Sequence, residues 1–147
     1  MRHVFLINPH AGKQDQTARI RALADRLAAA HNLDCRCLLT DRPGGAEVLS
    51  RALAETGEPV RIYACGGDGT LNEVISGLMR LDAPPPLGYL PQGTTNDFAS
   101  SLQIPRTPAS AAKNIVQNRM RELDIGRWNE RSFIYVASFG AFTRSSY

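Results

Sequence analysis

The stretch from Val60 to Met79 constrains the fold most. A strand-length apolar run, Val60-Arg61-Ile62-Tyr63-Ala64-Cys65, passes directly into Gly66-Gly67-Asp68-Gly69, and Leu71, Val74, Ile75, Leu78 and Met79 then recur at helical spacing. A strand that enters a helix through so short a turn is a βα unit, and βα units build parallel sheets covered by helices. The turn also lies at a helix N-terminus, where backbone N–H groups lack carbonyl partners and the macrodipole adds about half a positive charge. Anions bind at such ends, and glycine removes the side chains that would hold a phosphate away.

The spacing is neither that of a Walker A loop, since no Gly-Lys-Ser/Thr follows, nor that of the dinucleotide fingerprint. Asp68 decides between two readings. Beside a polyphosphate a carboxylate is repulsive unless a divalent cation lies between them or the acid handles a proton, which points to Mg-nucleotide chemistry. The alternative is a tight turn with Asp68 as its local cap.

The same grammar recurs along the chain. The spacing predicts strands over 3–7, 34–39, 60–65 and 87–90, helices over 16–31, 44–56, 70–80, 95–102 and 107–118, and further strands near 120–127 and 132–139. Asn8-Pro9-His10-Ala11-Gly12-Lys13 turns sharply after the first strand, and Pro91-Gln92-Gly93-Thr94-Thr95-Asn96-Asp97 follows the fourth. Thr94 offers a small hydroxyl for a phosphate oxygen or a metal-bound water, while Thr95 or Asn96 is placed to cap the helix beginning near Asp97. Ligands of open parallel sheets bind at the carboxyl ends of the strands, so three such turns are expected to converge on one crevice. Along the first helix, Ile20, Leu23, Leu27 and Ala30 form the apolar stripe, and Arg19, Arg21 and Arg26 read as a solvated face.

Composition narrows the function classes. With 147 residues, 43% apolar and 21% charged, the chain suits one ordinary hydrophobic core. A net charge of +3 gives little support to nucleic-acid binding. No apolar run approaches the length of a membrane span or a signal peptide, so a cytoplasmic location is expected. Cys35, Cys37 and Cys65 read as reduced, partly buried thiols without a metal, since no second Cys or His cluster accompanies them. Of the histidines, only His10 falls in a site loop, where backbone contact is the expected role.

Asn8-Pro9 with Gly12-Lys13, then Gly66-Gly67-Asp68-Gly69-Thr70-Leu71-Asn72-Glu73, then Pro91, Gly93-Thr94 and Asn96-Asp97-Phe98-Ala99, follow in an order that resembles the diacylglycerol kinase catalytic domain family. That family includes sphingosine, ceramide and bacterial lipid kinases. NAD kinases and phosphofructokinases have similar Gly-Gly-Asp-Gly turns, but the Asn-Asp-Phe-Ala block is of the lipid-kinase kind. The resemblance implies a three-layer α/β/α fold with a mostly parallel sheet, the nucleotide-binding N-terminal domain of a two-domain lipid kinase. Residues 1–130 would form it, with 131–147 the start of a truncated second domain.

The implied activity is ATP-dependent phosphorylation of a lipid hydroxyl such as that of diacylglycerol. The implied nucleotide contacts are Asn8, Pro9, His10, Ala11, Gly12, Thr40, Gly66, Gly67, Asp68, Gly69, Thr70, Leu71, Asn72 and Thr94. Thr40 also ends the second expected strand, where nucleotide-binding α/β folds meet the ribose or base. Asp68 is the catalytic candidate. ATP and Mg2+ are the implied cofactors, with metal ligands unassigned. The implied partner is a lipid alcohol at the membrane surface, with peripheral attachment to its inner face and homodimerisation both left open. Two departures stand out. Ser100 occupies a position where the family often carries arginine, and the chain is about half the usual length. The β-rich domain that would supply the general base, a metal site and most of the lipid pocket is missing, so this piece alone is expected to be inactive. A non-catalytic nucleotide-binding module and a kinase for a soluble hydroxylated metabolite or dinucleotide are the alternatives.

Overall fold

A computed structural model describes residues 1–134. In chain order the elements are β1 (Arg2–Ile7), α1 (Thr17–His31), β2 (Asp34–Leu39), α2 (Gly45–Glu55), β3 (Val60–Gly66), α3 (Asp68–Leu78), β4 (Leu87–Pro91), α4 (Asp97–Ser101), α5 (Pro108–Val116), β5 (Gly126–Trp128) and β6 (Arg131–Phe133). Through α5 the expected boundaries hold to within two residues. The main sheet is parallel, in the order β2-β1-β3-β4.

Alternation along the central strands divides the core in two. Val4, Leu6, Val60, Ile62 and Ala64 face α2, α3 and α4 through Ala46, Leu71, Val74, Ile75, Leu78 and Phe98. Phe5, Ile7, Tyr63 and Cys65 face α1 and α5 through Ile20, Leu23, Leu27, Ala111 and Ile115. Helices thus cover both faces, which gives the three-layer α/β fold. All seven residues of β3 are buried, as a central parallel strand requires, whereas edge strand β2 leaves Leu38 and Leu39 exposed. Burial raises the affinity of the Cys35, Cys37 and Cys65 thiols for their protons, and all three are free.

Register fixes where the turns begin. Ile7 pairs with both Leu39 and Cys65, and Gly66 pairs with Pro91, so the strands end at one level. Since β2 and β3 lie on opposite sides of β1, the strand order reverses there, and a crevice opens at the carboxyl ends of β1 and β3.

Three expectations change. Ala30 is exposed, and Ala24 takes its place in the buried stripe of α1. The strand expected near 120–127 shrinks to Gly126–Trp128, because Arg119, Met120, Arg121 and Glu122 are all exposed and offer no alternating apolar face. It pairs antiparallel with β6 as a separate ribbon, not as part of the main sheet, with Asn129 at φ 53° in the connecting turn. The ribbon rests against α3, and Ile125 and Ile134 pack on the core. The remainder of the strand expected over 132–139, from residue 135 onward, lies outside the described residues.

Candidate nucleotide-binding site

Glycine contacts join the three turns. A Cβ on Gly93 would stand 2.6 Å from Gly67 Cα, so the second and third turns touch backbone to backbone. Gly12, at φ 72°, lies against the Gln92 carbonyl, where an added Cβ would come within 2.2 Å of the oxygen. Its positive φ and this close approach both demand glycine. Asn8 ties the first turn to the second: its N–H donates to Cys65 O at 2.9 Å and its Nδ2 donates to Thr70 Oγ1 at 3.1 Å. Asn8 Oδ1 accepts from the N–H of His10 at 3.0 Å, which closes an Asx turn. His10 itself is exposed.

α3 begins at Asp68, two residues earlier than the spacing suggested, with Gly67 as an extended N-cap lacking a side-chain cap bond. The first N–H groups of the helix point out of its N-terminus with no intrahelical carbonyl to meet them. Around Gly69 an added Cβ would find nothing within 4 Å, so the start of the helix is open on that side. Asn72 lies one turn above Asp68 on the same face of α3.

Several other residues of the expected set have contacts within the fold. Leu71 is 1% exposed, its side chain is in the core, and its N–H donates to Gly67 O, which leaves neither group for a ligand. Gly66 makes room for Thr70, whose Oγ1 would lie 2.4 Å from an added Cβ. Thr40 is buried at the end of β2, with its N–H bonded to Ile7 O at 2.9 Å. Pro9, Ala11 and Thr94 lie in the first and third turns, with Thr94 exposed at the mouth.

Asp68 does not cap its own helix. Its Oδ2 accepts from the Asp97 N–H at 2.9 Å, the first helical residue of α4, and its Oδ1 lies 3.4 Å from the Tyr89 hydroxyl. The expected capping by Asn96 is replaced by this cross-turn bond. Asn96 instead folds back, with Oδ1 accepting from Gly93 N at 2.8 Å and Nδ2 donating to Gly93 O at 2.7 Å. Burial, and after it the charge of Asp68, raises the Tyr89 pKa, so the phenol stays a donor. Glu73, the last residue of the motif, is also structural: its carboxylate accepts from Gly44 N at 3.0 Å and Ala46 N at 3.3 Å, capping α2. Sequence reasoning missed Tyr89 and the role of Glu73. Their partners are distant in the chain, and only packing brings them together.

No group of three or more His, Cys, Asp or Glu side chains suited to a metal occurs among the described residues. Mg2+ on a nucleotide needs only one or two protein carboxylates beside phosphate and water oxygens. Asp68, half-buried where the second and third turns meet, fits that demand. No helix among the described residues is long and apolar enough to cross a membrane.

The sequence model of the diacylglycerol kinase catalytic domain matches residues 2–128. The chain belongs to this family. A diacylglycerol kinase of Staphylococcus saprophyticus is 36% identical over 143 residues, covering 97% of this chain and 46% of that protein. Its Bacillus subtilis counterpart is 48% identical over 87 residues, 58% of this chain and 29% of that protein. A crystal structure of a diacylglycerol kinase from Bacillus anthracis superposes with a TM-score of 0.75 at 32% identity, covering 90% of this chain and 45% of that one. The chain therefore spans about half the length of these relatives.

Proposed function

We propose that this chain is the nucleotide-binding domain of an ATP-dependent lipid kinase that phosphorylates a lipid hydroxyl such as that of diacylglycerol. The observation that carries this reading is the convergence of three glycine turns at the carboxyl ends of β1, β3 and β4 around the open N-terminus of α3. Backbone N–H groups at Gly67, Gly69 and Thr70 receive the phosphates, with the first turn closing over them. Asp68 provides the carboxylate for a Mg2+ ion, which neutralises charge developing on the transferred phosphoryl group. Membership of the family supports kinase chemistry, and the diacylglycerol kinase names of the relatives support a lipid alcohol as acceptor.

Residues 131–147 lead into a second domain in this reading. That domain supplies the general base and most of the acceptor pocket, in keeping with relatives about twice as long. Residues 1–147 alone then bind nucleotide and transfer little phosphate, because in-line positioning of the acceptor is missing. The cytoplasm, and the inner face of the membrane during turnover, is where such a kinase meets ATP and lipid together.

The test is phosphate transfer from labelled ATP by the whole gene product, across lipid alcohols and soluble acceptors. Transfer to a lipid alcohol that is lost on Asp68→Asn supports the reading. Transfer to soluble acceptors alone, or none despite nucleotide binding, overturns it.

A further inference from the structure

Resting on the nucleotide-binding reading above, we infer that Tyr89 is a positioning residue that holds Asp68 for the divalent cation and ties its orientation to the third turn. The Tyr89 hydroxyl lies 3.4 Å from Asp68 Oδ1 and also 3.4 Å from Asn96 Oδ1. It has one proton to donate, so it serves one of these two acceptors at a time. Asn96 Oδ1 already accepts from Gly93 N at 2.8 Å, and Asp68 Oδ2 from Asp97 N at 2.9 Å. Tyr89 thus bridges two acceptors that each have one firm bond elsewhere.

The phenol is itself held. Tyr89 is 9% exposed, and its ring packs against Phe98 with centroids 6.2 Å apart. A donor fixed by packing limits the directions open to the carboxylate, which lowers the cost of ordering it when a cation draws on its remaining lone pairs. The bond takes one lone pair of Asp68 Oδ1 and leaves others for the cation, while Asn96 Oδ1, bonded to Gly93 N, stands beside the same phenol. The loop that carries Gly93 and Thr94 is held by the same asparagine, so occupancy of the Asp68 site and the shape of the third turn are linked.

The test is calorimetric titration of ATP into residues 1–147, with Mg2+ and with EDTA, for wild type, Tyr89→Phe, Asp68→Asn and the double variant. Tyr89→Phe keeps the ring and its packing, and thermal unfolding of each variant checks the fold. The expected result is that Mg2+ strengthens ATP binding in wild type and that Tyr89→Phe reduces this gain by roughly 3- to 10-fold, the net value of one ordinary hydrogen bond. In the Asp68→Asn background Tyr89→Phe has no further effect on the gain, whereas a merely structural role gives the same loss in both backgrounds. An undiminished gain in Tyr89→Phe, a gain retained in Asp68→Asn, additive losses, or ATP binding that Mg2+ does not strengthen in wild type each overturns the inference while nucleotide binding stands. Absence of ATP binding by wild type removes the nucleotide-binding reading, and the inference with it.

Discussion

Gly67 and Gly93 meet backbone to backbone, with Gly67 Cα only 2.6 Å from where a Cβ on Gly93 would lie. One turn follows β3 and the other follows β4, so this contact makes two local motifs into a single site. Gly93→Ala must therefore push the turns apart or strain them. The expected cost is about 1–3 kcal/mol of stability, as for overpacking elsewhere in proteins, together with weakened ATP binding. Urea unfolding and calorimetry check it, and unchanged values in both would mean that the turns are not interlocked.

Gly12→Ala tests the first turn in the same way. At φ 72° and with the Gln92 carbonyl in its path, an alanine is strained on two counts, at about 1–3 kcal/mol. Stability should fall and nucleotide affinity with it. Gly57→Ala, at φ 73° with no atom within 4 Å of an added Cβ, is the control: it should lose stability through backbone strain while keeping ATP affinity.

Glu73 separates motif membership from ligand contact. Its carboxylate holds two N–H groups at the start of α2, so Glu73→Ala should destabilise the fold by about 1–3 kcal/mol. At temperatures where the variant is folded, ATP affinity should stay within about twofold of wild type, a difference of roughly 0.4 kcal/mol. A selective loss of affinity in a stable variant would assign Glu73 to the site instead.

The order of strands and helices and the three turns were legible in the sequence, because glycine clusters directly after apolar runs leave few alternatives. Asn8, Gly12, Gly67 and Gly93 could be singled out on local grounds. The uses of Asp68, Glu73 and Asn96 could not. Asp68 reaches Asp97 and Glu73 reaches Gly44, each 29 residues away, and such pairings follow from packing and not from local spacing. Asn96 was legible as a cap by residue type, yet its amide satisfies Gly93 on both N–H and C=O, which a capping residue cannot do while facing its own helix. The strand expected near 120–127 is reduced to β5 because the apolar residues ahead of it, Met120 and Leu123, are exposed and give it no buried face.

His3 gives the stability a pH dependence. It is buried in β1 with Nδ1 2.9 Å from the Tyr63 hydroxyl, and burial, then the Arg61 charge and the N-terminus, lower its pKa. Burial also pushes the Tyr63 phenol up to about 12, so it remains a donor to the neutral imidazole. The unfolded chain, with an ordinary histidine near pH 6.5, binds the proton more readily than the folded one. This contribution is therefore fully present above about pH 6.5, is lost as the pH falls toward the folded pKa, and changes no further below it. Chemical denaturation between pH 5 and 8 should show this fall in wild type and a flatter profile in His3→Gln. Identical profiles would remove His3 as its source.

The most direct test of the central claim, that the three turns form one phosphate-binding crevice, is a thermal-unfolding titration of residues 1–147 with ATP, ADP and adenosine in the presence of Mg2+. The expected result is stabilisation by ATP and ADP that approaches about 2.7 kcal/mol at a hundredfold excess over Kd, little effect of adenosine, and loss of the response in Gly67→Val with its fold retained. Equal stabilisation by adenosine and ATP, no stabilisation by any of them, or a full response in Gly67→Val would contradict it.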